Sequence, residues 1–233
     1  MPDLGPFELD TIVVGDCLDV MRQMPDGCVD AVITDPPFKL SQIYTANVDA
    51  DNLMAVSSIW PAGHELFRLC KPGIYVAMYY DTRILPLALE AMRWAGFKYL
   101  RGLTFYRRWG AAHKLYGWMS TSDFILLFRK PADVPYRFYS TDWRHDVYTR
   151  EGPQEFSANH AAQKPQEDVL HMVGHLSPEN AIIFDPFMGS GTTAVAAKKL
   201  GRHYFGCDIN PEYVEMARKR VAKVDGVQLE LAV

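Results

Sequence analysis

Short apolar segments alternate along this chain with segments of helical period, and this alternation constrains the fold more than any other feature. Residues 29–34 and 181–184 have the length and composition of buried strands, whereas residues 17–24 and 192–200 have helical spacing. Strands that alternate with helices form a mostly parallel sheet covered by helices on both faces. The sequence therefore predicts an α/β fold, with residues 1–233 forming a single domain.

Composition excludes several other classes of protein. Hydrophobic residues make up 48% and charged residues 22% of the 233 residues, which is ordinary for a globular protein and excludes a disordered or collagen-like chain. No apolar run approaches the roughly 18 residues that a membrane span needs, so no membrane partner is expected. The four cysteines are scattered without a Cys-x-x-Cys pair, which favours reduced thiols and a cytoplasmic location.

Charge is distributed unevenly along the chain. The net charge is −4, but residues 98–150 contain ten Lys and Arg against four Asp, giving +6 in this segment and −10 over the remainder. A basic segment within an acidic chain can bind a polyanion such as nucleic acid. An ordinary solvated surface would show the same balance, so charge alone leaves both interpretations open.

A glycine-rich turn follows the predicted strand at 181–184 and opens the next helix. Its sequence is Asp185-Pro186-Phe187-Met188-Gly189-Ser190-Gly191-Thr192-Thr193. Gly189 and Gly191 permit a tight turn and the close approach of a ligand to the backbone. Asp208, at the end of the following strand, is suited to accept hydrogen bonds from ribose hydroxyls. The glycine pattern alone would also match a dinucleotide-binding fold or an ordinary turn between strand and helix.

A second motif, Asp35-Pro36-Pro37-Phe38, lies at the carboxyl end of the predicted strand 29–34. The prolines fix the backbone, so the Asp35 carboxylate and the Pro36 carbonyl become adjacent acceptors for the two hydrogens of an exocyclic amine. Phe38 can stack on the ring that carries the amine. Such contacts neutralise the positive charge that develops on nitrogen during methyl transfer. The structural alternative is a proline-rich turn that leaves a core strand.

Together, these two motifs resemble those of the DNA amino-methyltransferases, which transfer a methyl group from S-adenosylmethionine to N6 of adenine or N4 of cytosine. The amine-binding motif precedes the cofactor motif, as in the circularly permuted beta group of this family. The resemblance extends to Gly15-Asp16-Cys17 and to Gln163-Lys164-Pro165. Residues 39–56 and 131–160 match no part of the family and are expected to be short target-recognition insertions.

The resemblance implies the Rossmann-like methyltransferase fold, with a mostly parallel seven-stranded sheet and one antiparallel strand supplied by residues 97–129. It places Asp35 and Asp185 on adjacent central strands. It also implies S-adenosylmethionine as cofactor, no metal, and duplex DNA as partner. It allows a homodimer and a cognate restriction nuclease as further partners.

The site residues follow from the same resemblance. The implied catalytic residues are Asp35, Pro36, Pro37 and Phe38. The implied cofactor-binding residues are Asp16, Cys17, Asp35, Lys164, Asp185, Pro186, Phe187, Gly189, Ser190, Gly191, Thr192, Thr193 and Asp208. The basic residues expected to bind DNA are Arg107, Arg108, Lys114, Arg137 and Arg144.

The expected reaction is methylation of adenine N6 in duplex DNA, with the base flipped out and the methyl group transferred in line. Family members that act on cytosine N4 more often have serine at the position of Asp35, so the aspartate favours adenine. Cytosine N4 methylation and RNA adenine methylation are the alternatives within this chemistry. A catalytically inactive DNA-binding protein is disfavoured by the intact motifs. A nicotinamide-dependent oxidoreductase has no use for Asp35-Pro36-Pro37-Phe38.

Overall fold

The computed structural model of the protein describes residues 3–37, 48–82, 85–112, 119–140, 145–150 and 163–224, with backbone alone at 48–58, 107–112, 119–120 and 150. Its strands are β1 (Thr11–Val14), β2 (Val29–Thr34), β3 (Cys70–Tyr80), β4 (Lys98–Ala112), β5 (Met119–Arg129), β6 (Val147–Arg150), β7 (Ile182–Asp185) and β8 (His203–Asp208). Its helices are α1 (Cys17–Gln23), α2 (Val48–Leu69), α3 (Leu85–Trp94), α4 (Gln166–Leu176), α5 (Thr192–Lys199) and α6 (Pro211–Ala222). None of these described helices is long and apolar enough to cross a membrane.

Within the described ranges, eight strands form one sheet in the order β1-β8-β7-β2-β3-β5-β4-β6. Every neighbouring pair is parallel except β3 with β5 and β4 with β5, so β5 is the antiparallel strand. This confirms the predicted mostly parallel sheet and the adjacency of β2 and β7. The sheet has one strand more than the seven predicted, because β6 pairs with the outer edge of β4.

The two segments expected to be insertions contain regular structure. Residues 48–56 form the first part of α2, where polar residues had obscured the helical period. In the second segment, residues 147–150 form β6. Of the remaining residues in these two segments, 39–47, 141–144 and 151–160 lie outside the described residues.

The sheet is buried on both faces. In β7 the side chains of Ile182 and Phe184 join the core beneath α1, α2 and α3, whereas Ile183 joins the core beneath α4, α5 and α6. All three residues are at most 1% exposed. A strand that is apolar on both faces is typical of the centre of a parallel sheet, and this accounts for the continuous apolar runs in the sequence.

Strands β4 and β5 continue beyond the carboxyl end of β3. Tyr80, the last residue of β3, pairs with Phe124 of β5, which in turn pairs with Thr104 of β4. Residues 105–112 therefore extend past β3, by about 25 Å at the usual rise per residue. We call residues 105–112 and 119–123 the arm. It lies on the side of the sheet where the parallel strands β2 and β7 also end.

Close packing between β7 and β8 gives a test of this fold. A Cβ atom on Gly206 would lie 2.2 Å from Met188 Cε and 2.4 Å from the Asp185 carbonyl oxygen. We expect Gly206→Ala to lower the free energy of unfolding by about 2–3 kcal/mol, because the neighbouring strand cannot move alone. Gly102→Ala is the control, since its nearest atom would be Tyr99 Oη at 3.6 Å. Equal urea denaturation midpoints for the two variants would contradict this packing.

Candidate active site

Four adjacent parallel strands carry an aspartate at or just after their carboxyl ends. Asp16 follows β1, Asp208 ends β8, Asp185 ends β7 and Asp35 follows β2. Parallel strands end at the same edge of a sheet, which is where ligands of open α/β sheets bind. The structure therefore brings the four predicted acidic residues to one edge, in the order Asp16, Asp208, Asp185, Asp35.

The buried carboxylate of Asp185 joins β7 to β2 and to α5. Its Oδ1 accepts hydrogen bonds from Thr34 Oγ1 at 2.8 Å and from the Phe187 amide at 3.1 Å, and its Oδ2 accepts one from Thr193 Oγ1 at 2.7 Å. Burial raises the pKa of Asp185 to about 7, although the three hydrogen bonds act in the opposite direction. Asp185 thus joins β2, β7 and α5 through buried hydrogen bonds at this edge of the sheet. Its partner Thr34 was not predicted from the sequence.

The glycine turn after β7 is fixed by α6 and by β8. Gly191 has φ +83°, and a Cβ atom there would lie 2.7 Å from Ala217 Cβ in α6. Its lack of a side chain therefore allows α6 to pack against the turn, in addition to permitting the predicted tight turn. The Gly189 amide donates a 2.8 Å hydrogen bond to Asp208 Oδ2, which ties the turn to the end of β8.

Two of the predicted cofactor-binding side chains, Ser190 and Thr192, contact the protein. The Arg220 Nη1 atom of α6 donates to the Ser190 carbonyl at 2.6 Å, to Ser190 Oγ at 3.0 Å and to Thr192 Oγ1 at 3.3 Å. Gln166 Nε2 of α4 donates to the Thr192 carbonyl at 3.1 Å. Ser190 and Thr192 are both nearly buried. These residues support the shape of the turn, and Arg220 and Gln166 are supporting residues to which the sequence analysis gave no role.

The ends of β1 and β8 combine carboxylates with exposed apolar side chains. Asp208 accepts hydrogen bonds from the Gly189 and Asn210 amides, and Asp16 caps α1 by accepting one from the Leu18 amide. A carboxylate has about four lone-pair positions, so both acids retain capacity for ligand hydroxyls. Beside them, Val14 is 52% exposed and Ile209 is 72% exposed.

This combination fits a nucleoside, because exposed apolar groups can cover a flat ring and carboxylates can accept from ribose hydroxyls. Val14 and Ile209 were not among the residues predicted from the sequence. Their signal was an apolar residue within two positions of an acid at the end of a strand. Cys17 is half-buried, and burial together with Asp16 raises the pKa of its thiol to about 11, so it remains protonated at neutral pH.

Asp35 forms an ion pair with Lys164 at the end of β2. Lys164 Nζ lies 2.7 Å from Asp35 Oδ2 and 4.9 Å from the centre of the Tyr79 ring. The family resemblance implies a cofactor-binding role for Lys164, and in this structure its side chain contacts the amine-binding motif. In that motif Pro36 is buried and Pro37 is exposed, and Phe38 lies outside the described residues.

Of the five residues predicted to bind DNA, the three that the structure describes do not form one cluster. Arg107 and Arg108 are in the part of the arm formed by β4, whereas Lys114 and Arg144 lie outside the described residues. Arg137 is exposed, and its amide donates to Tyr75 Oη. Its neighbour Phe138 stacks on the ring of His175, in the last turn of α4. Lys164 precedes the first turn of α4, and the two turns are about 15 Å apart at the usual helical rise.

Two other basic residues of segment 98–150 bind main-chain carbonyls. Arg129 is 4% exposed and donates to the Gly73, Val134 and Pro135 carbonyls. Lys130 Nζ donates to the Phe67 and Cys70 carbonyls. The +6 charge of this segment is therefore not available as a single DNA-binding surface.

The raised pKa of Asp185 predicts a pH dependence of stability. The folded state binds this proton more tightly than the unfolded state, because the pKa rises from its ordinary value of 3.8 to about 7. The stabilisation is complete below pH 3.8 and is lost as the pH rises through about 7. We expect the free energy of unfolding of the wild type minus that of Asp185→Asn to fall by up to about 4 kcal/mol between about pH 4 and 8.

The control for this titration is Asp19→Asn, because Asp19 is 72% exposed on α1. Its difference from the wild type should change by less than about 0.5 kcal/mol over the same range. Chemical denaturation at each pH measures both differences. A difference for Asp185→Asn that does not change with pH would contradict the buried, ionisable state of Asp185.

Comparison with known proteins agrees with this geometry. The N6/N4 DNA methylase family model matches residues 29–219. The type II methyltransferase M.HpaI of Haemophilus parainfluenzae is 26% identical, in an alignment that covers 90% of this chain and 73% of that protein.

Two solved structures share the fold at lower sequence identity. The structure of the M1.HpyAVI-SAM complex is 21% identical, with a TM-score of 0.72, covering 91% of this chain and 98% of the other. The cytosine-N4-specific PvuII DNA methyltransferase is 15% identical, with a TM-score of 0.73, covering 96% and 89%. The family match spans both motifs and the strands that carry them, so this chain belongs to the N6/N4 family of S-adenosylmethionine-dependent DNA methyltransferases.

Proposed function

We propose that this protein transfers a methyl group from S-adenosylmethionine to N6 of adenine in duplex DNA. The observation that carries the proposal is the position of Asp35, an acidic acceptor at the end of β2, next to the turn that follows β7. Target amine and cofactor would then meet at the edge formed by these two strands. Cofactor chemistry supplies an activated methyl sulfonium, so the protein needs to align and stabilise rather than provide a nucleophile.

The cofactor would lie along the ends of β1, β8 and β7. Asp208 and Asp16 would accept hydrogen bonds from its hydroxyls, and Val14 and Ile209 would cover its adenine ring. The glycine turn, in which Arg220 of α6 holds the side chains of Ser190 and Thr192, would face the remainder of the molecule. These contacts account for affinity and placement.

The target amine would bind at Asp35 and at the Pro36 carbonyl. Two acceptors can take both amine hydrogens, which directs the nitrogen lone pair toward the methyl group and offsets the developing positive charge. Because the amine is paired inside a duplex, the base must first be flipped out of the stack. Phe38, two positions after Pro36 in the chain, remains the proposed stacking partner of that base.

Adenine is preferred over cytosine because the first position of this motif is an aspartate. The resemblance described above associates serine at this position more often with N4 methylation. Cytosine N4 is the second candidate, since the cytosine-N4-specific PvuII enzyme shares the fold over most of the chain. A homodimer and a cognate restriction nuclease stay expectations from the family resemblance.

DNA would be held by the arm. The arm extends from the edge that carries Asp35, and Arg107 of β4 pairs with Arg150 of β6 across the backbone. Arg107, Arg108 and Arg150 thus bring three cationic residues to neighbouring positions of two paired strands. Cationic residues at this position suit the phosphates that flank a flipped base.

Replacement of Asp35 tests the catalytic assignment. We expect Asp35→Ala to reduce the rate of methylation of duplex DNA by about 100-fold or more, because it loses an acceptor for the target amine. The affinity for S-adenosylmethionine, measured by calorimetry, should change by less than about threefold. Asp19→Ala, an exposed change on α1, should behave like the wild type. Near-normal turnover of Asp35→Ala would refute the assignment.

Replacement of Asp208 tests the placement of the cofactor. We expect Asp208→Ala to weaken the binding of S-adenosylmethionine by about tenfold to a hundredfold, which corresponds to roughly 1.5–3 kcal/mol for charged hydrogen bonds. Asp208→Asn retains one acceptor oxygen and should lose less affinity. Calorimetry measures both. An Asp208→Ala variant with wild-type affinity would place the ribose elsewhere.

Replacement of the arm cations tests the DNA path. We expect the double change Arg107→Ala and Arg108→Ala to lower the slope of log affinity against log salt by up to about two, for all DNA sequences alike. The matched control is Lys98→Ala with Arg101→Ala, because these residues begin the same strand at the opposite edge of the sheet. If the control lowers the slope and the arm variant does not, DNA binds at the other edge.

A further inference from the structure

We propose that Lys164 is a positioning residue, which fixes the Asp35 carboxylate for the target amine and contributes to methyl transfer rather than to cofactor affinity. This inference rests on the proposed function, because it assigns Asp35 to the amine. It differs from the cofactor role that the sequence analysis gave to Lys164.

The geometry places the ammonium group of Lys164 on the amine-binding motif. Its Nζ lies 2.7 Å from Asp35 Oδ2, and the two side chains are 25% and 29% exposed. The same ammonium group lies 4.9 Å from the centre of the Tyr79 ring. A partly shielded ion pair with a short hydrogen bond is stronger and better oriented than a fully exposed one.

The main chain around Lys164 is held by neighbouring elements, so the position from which its side chain extends is fixed. Pro165 follows it and is buried at the start of α4. Gln166 Nε2 then donates to the Thr192 carbonyl at 3.1 Å, and Thr192 Oγ1 lies 3.5 Å from the Lys164 carbonyl oxygen. The backbone of Lys164 is therefore held against α5, while its side chain reaches the end of β2.

The ion pair with Lys164 has two physical effects on Asp35. The prolines after Asp35 fix its backbone but not its side-chain torsions, on which the ion pair acts. Asp35 also lies close enough to the buried Asp185 for the two carboxylates to repel each other. A cation bound to Asp35 Oδ2 restrains the rotation and offsets the repulsion, so the carboxylate is held ready to accept from an amine.

A second ion pair on β2 provides a matched control. Lys71 Nζ lies 2.6 Å from Asp30 Oδ1, with the two side chains 42% and 23% exposed. Asp30 is near the amino end of β2, whereas Asp35 follows its carboxyl end. Replacing Lys71 removes the ammonium group that pairs with Asp30, and replacing Lys164 removes the one that pairs with Asp35. Only Lys164 is at the proposed amine site.

The test compares Lys164→Met, Lys164→Arg and Lys71→Met. At saturating cofactor and DNA, we expect Lys164→Met to lower kcat by about 10- to 100-fold, while its calorimetric affinity for S-adenosylmethionine changes by less than about threefold. Lys164→Arg keeps the cation and should recover most of the lost kcat. Lys71→Met should keep kcat within about twofold of the wild type. Thermal melting confirms that each variant is folded, and Lys164→Gln replaces Lys164→Met if the latter is not.

The opposite results separate the inference from the proposed function. An active wild type with an unchanged or higher kcat in Lys164→Met would overturn the inference alone, because the ammonium group would then be dispensable or would block the amine. Loss of cofactor affinity with a normal kcat at saturation would also overturn it and return Lys164 to the cofactor. An inactive wild type that still binds S-adenosylmethionine would overturn the proposed function, and the inference with it.

Discussion

The buried carboxylate of Asp185 is the contact on which the rest of the site depends. It bonds to Thr34 at the end of β2, to Thr193 at the start of α5, and to the backbone of the turn between β7 and α5. These three elements carry the two motifs that the chemistry requires. Burying a carboxylate is unfavourable unless its hydrogen bonds are satisfied, so this arrangement tolerates little rearrangement. The relative position of the two motifs is therefore set inside the protein rather than by a ligand.

Around this centre, side chains and several backbone groups of the glycine turn serve the scaffold. Arg220 holds Ser190 and Thr192, and the absence of a side chain at Gly191 allows α6 to approach. The ligand-facing chemistry comes instead from the neighbouring strand ends, where acids and exposed apolar groups alternate. Catalysis by alignment requires a rigid edge of this kind, because a misplaced methyl acceptor loses most of the advantage of proximity.

Apart from β6, the sequence was sufficient to predict the order of strands and helices, because the central strands are largely apolar on both faces and most turns contain a proline or glycine. It was also sufficient to locate Asp35, Asp185 and Asp208 at strand ends. It could not show that Lys164 pairs with Asp35, because the direction of a long side chain depends on how α4 packs. The pairing of β6 with β4 was missed for a similar reason, since a short, polar edge strand has no apolar period of its own.

Identification of the methylated base tests the central claim most directly. Duplex DNA of mixed sequence would be incubated with the wild-type protein and S-adenosylmethionine carrying a deuterated methyl group, then digested to nucleosides and analysed by mass spectrometry. The account predicts deuterated N6-methyladenine in DNA, with no such product from RNA of the same sequence. Deuterated N4-methylcytosine in place of N6-methyladenine, or a product formed only in RNA, would contradict it.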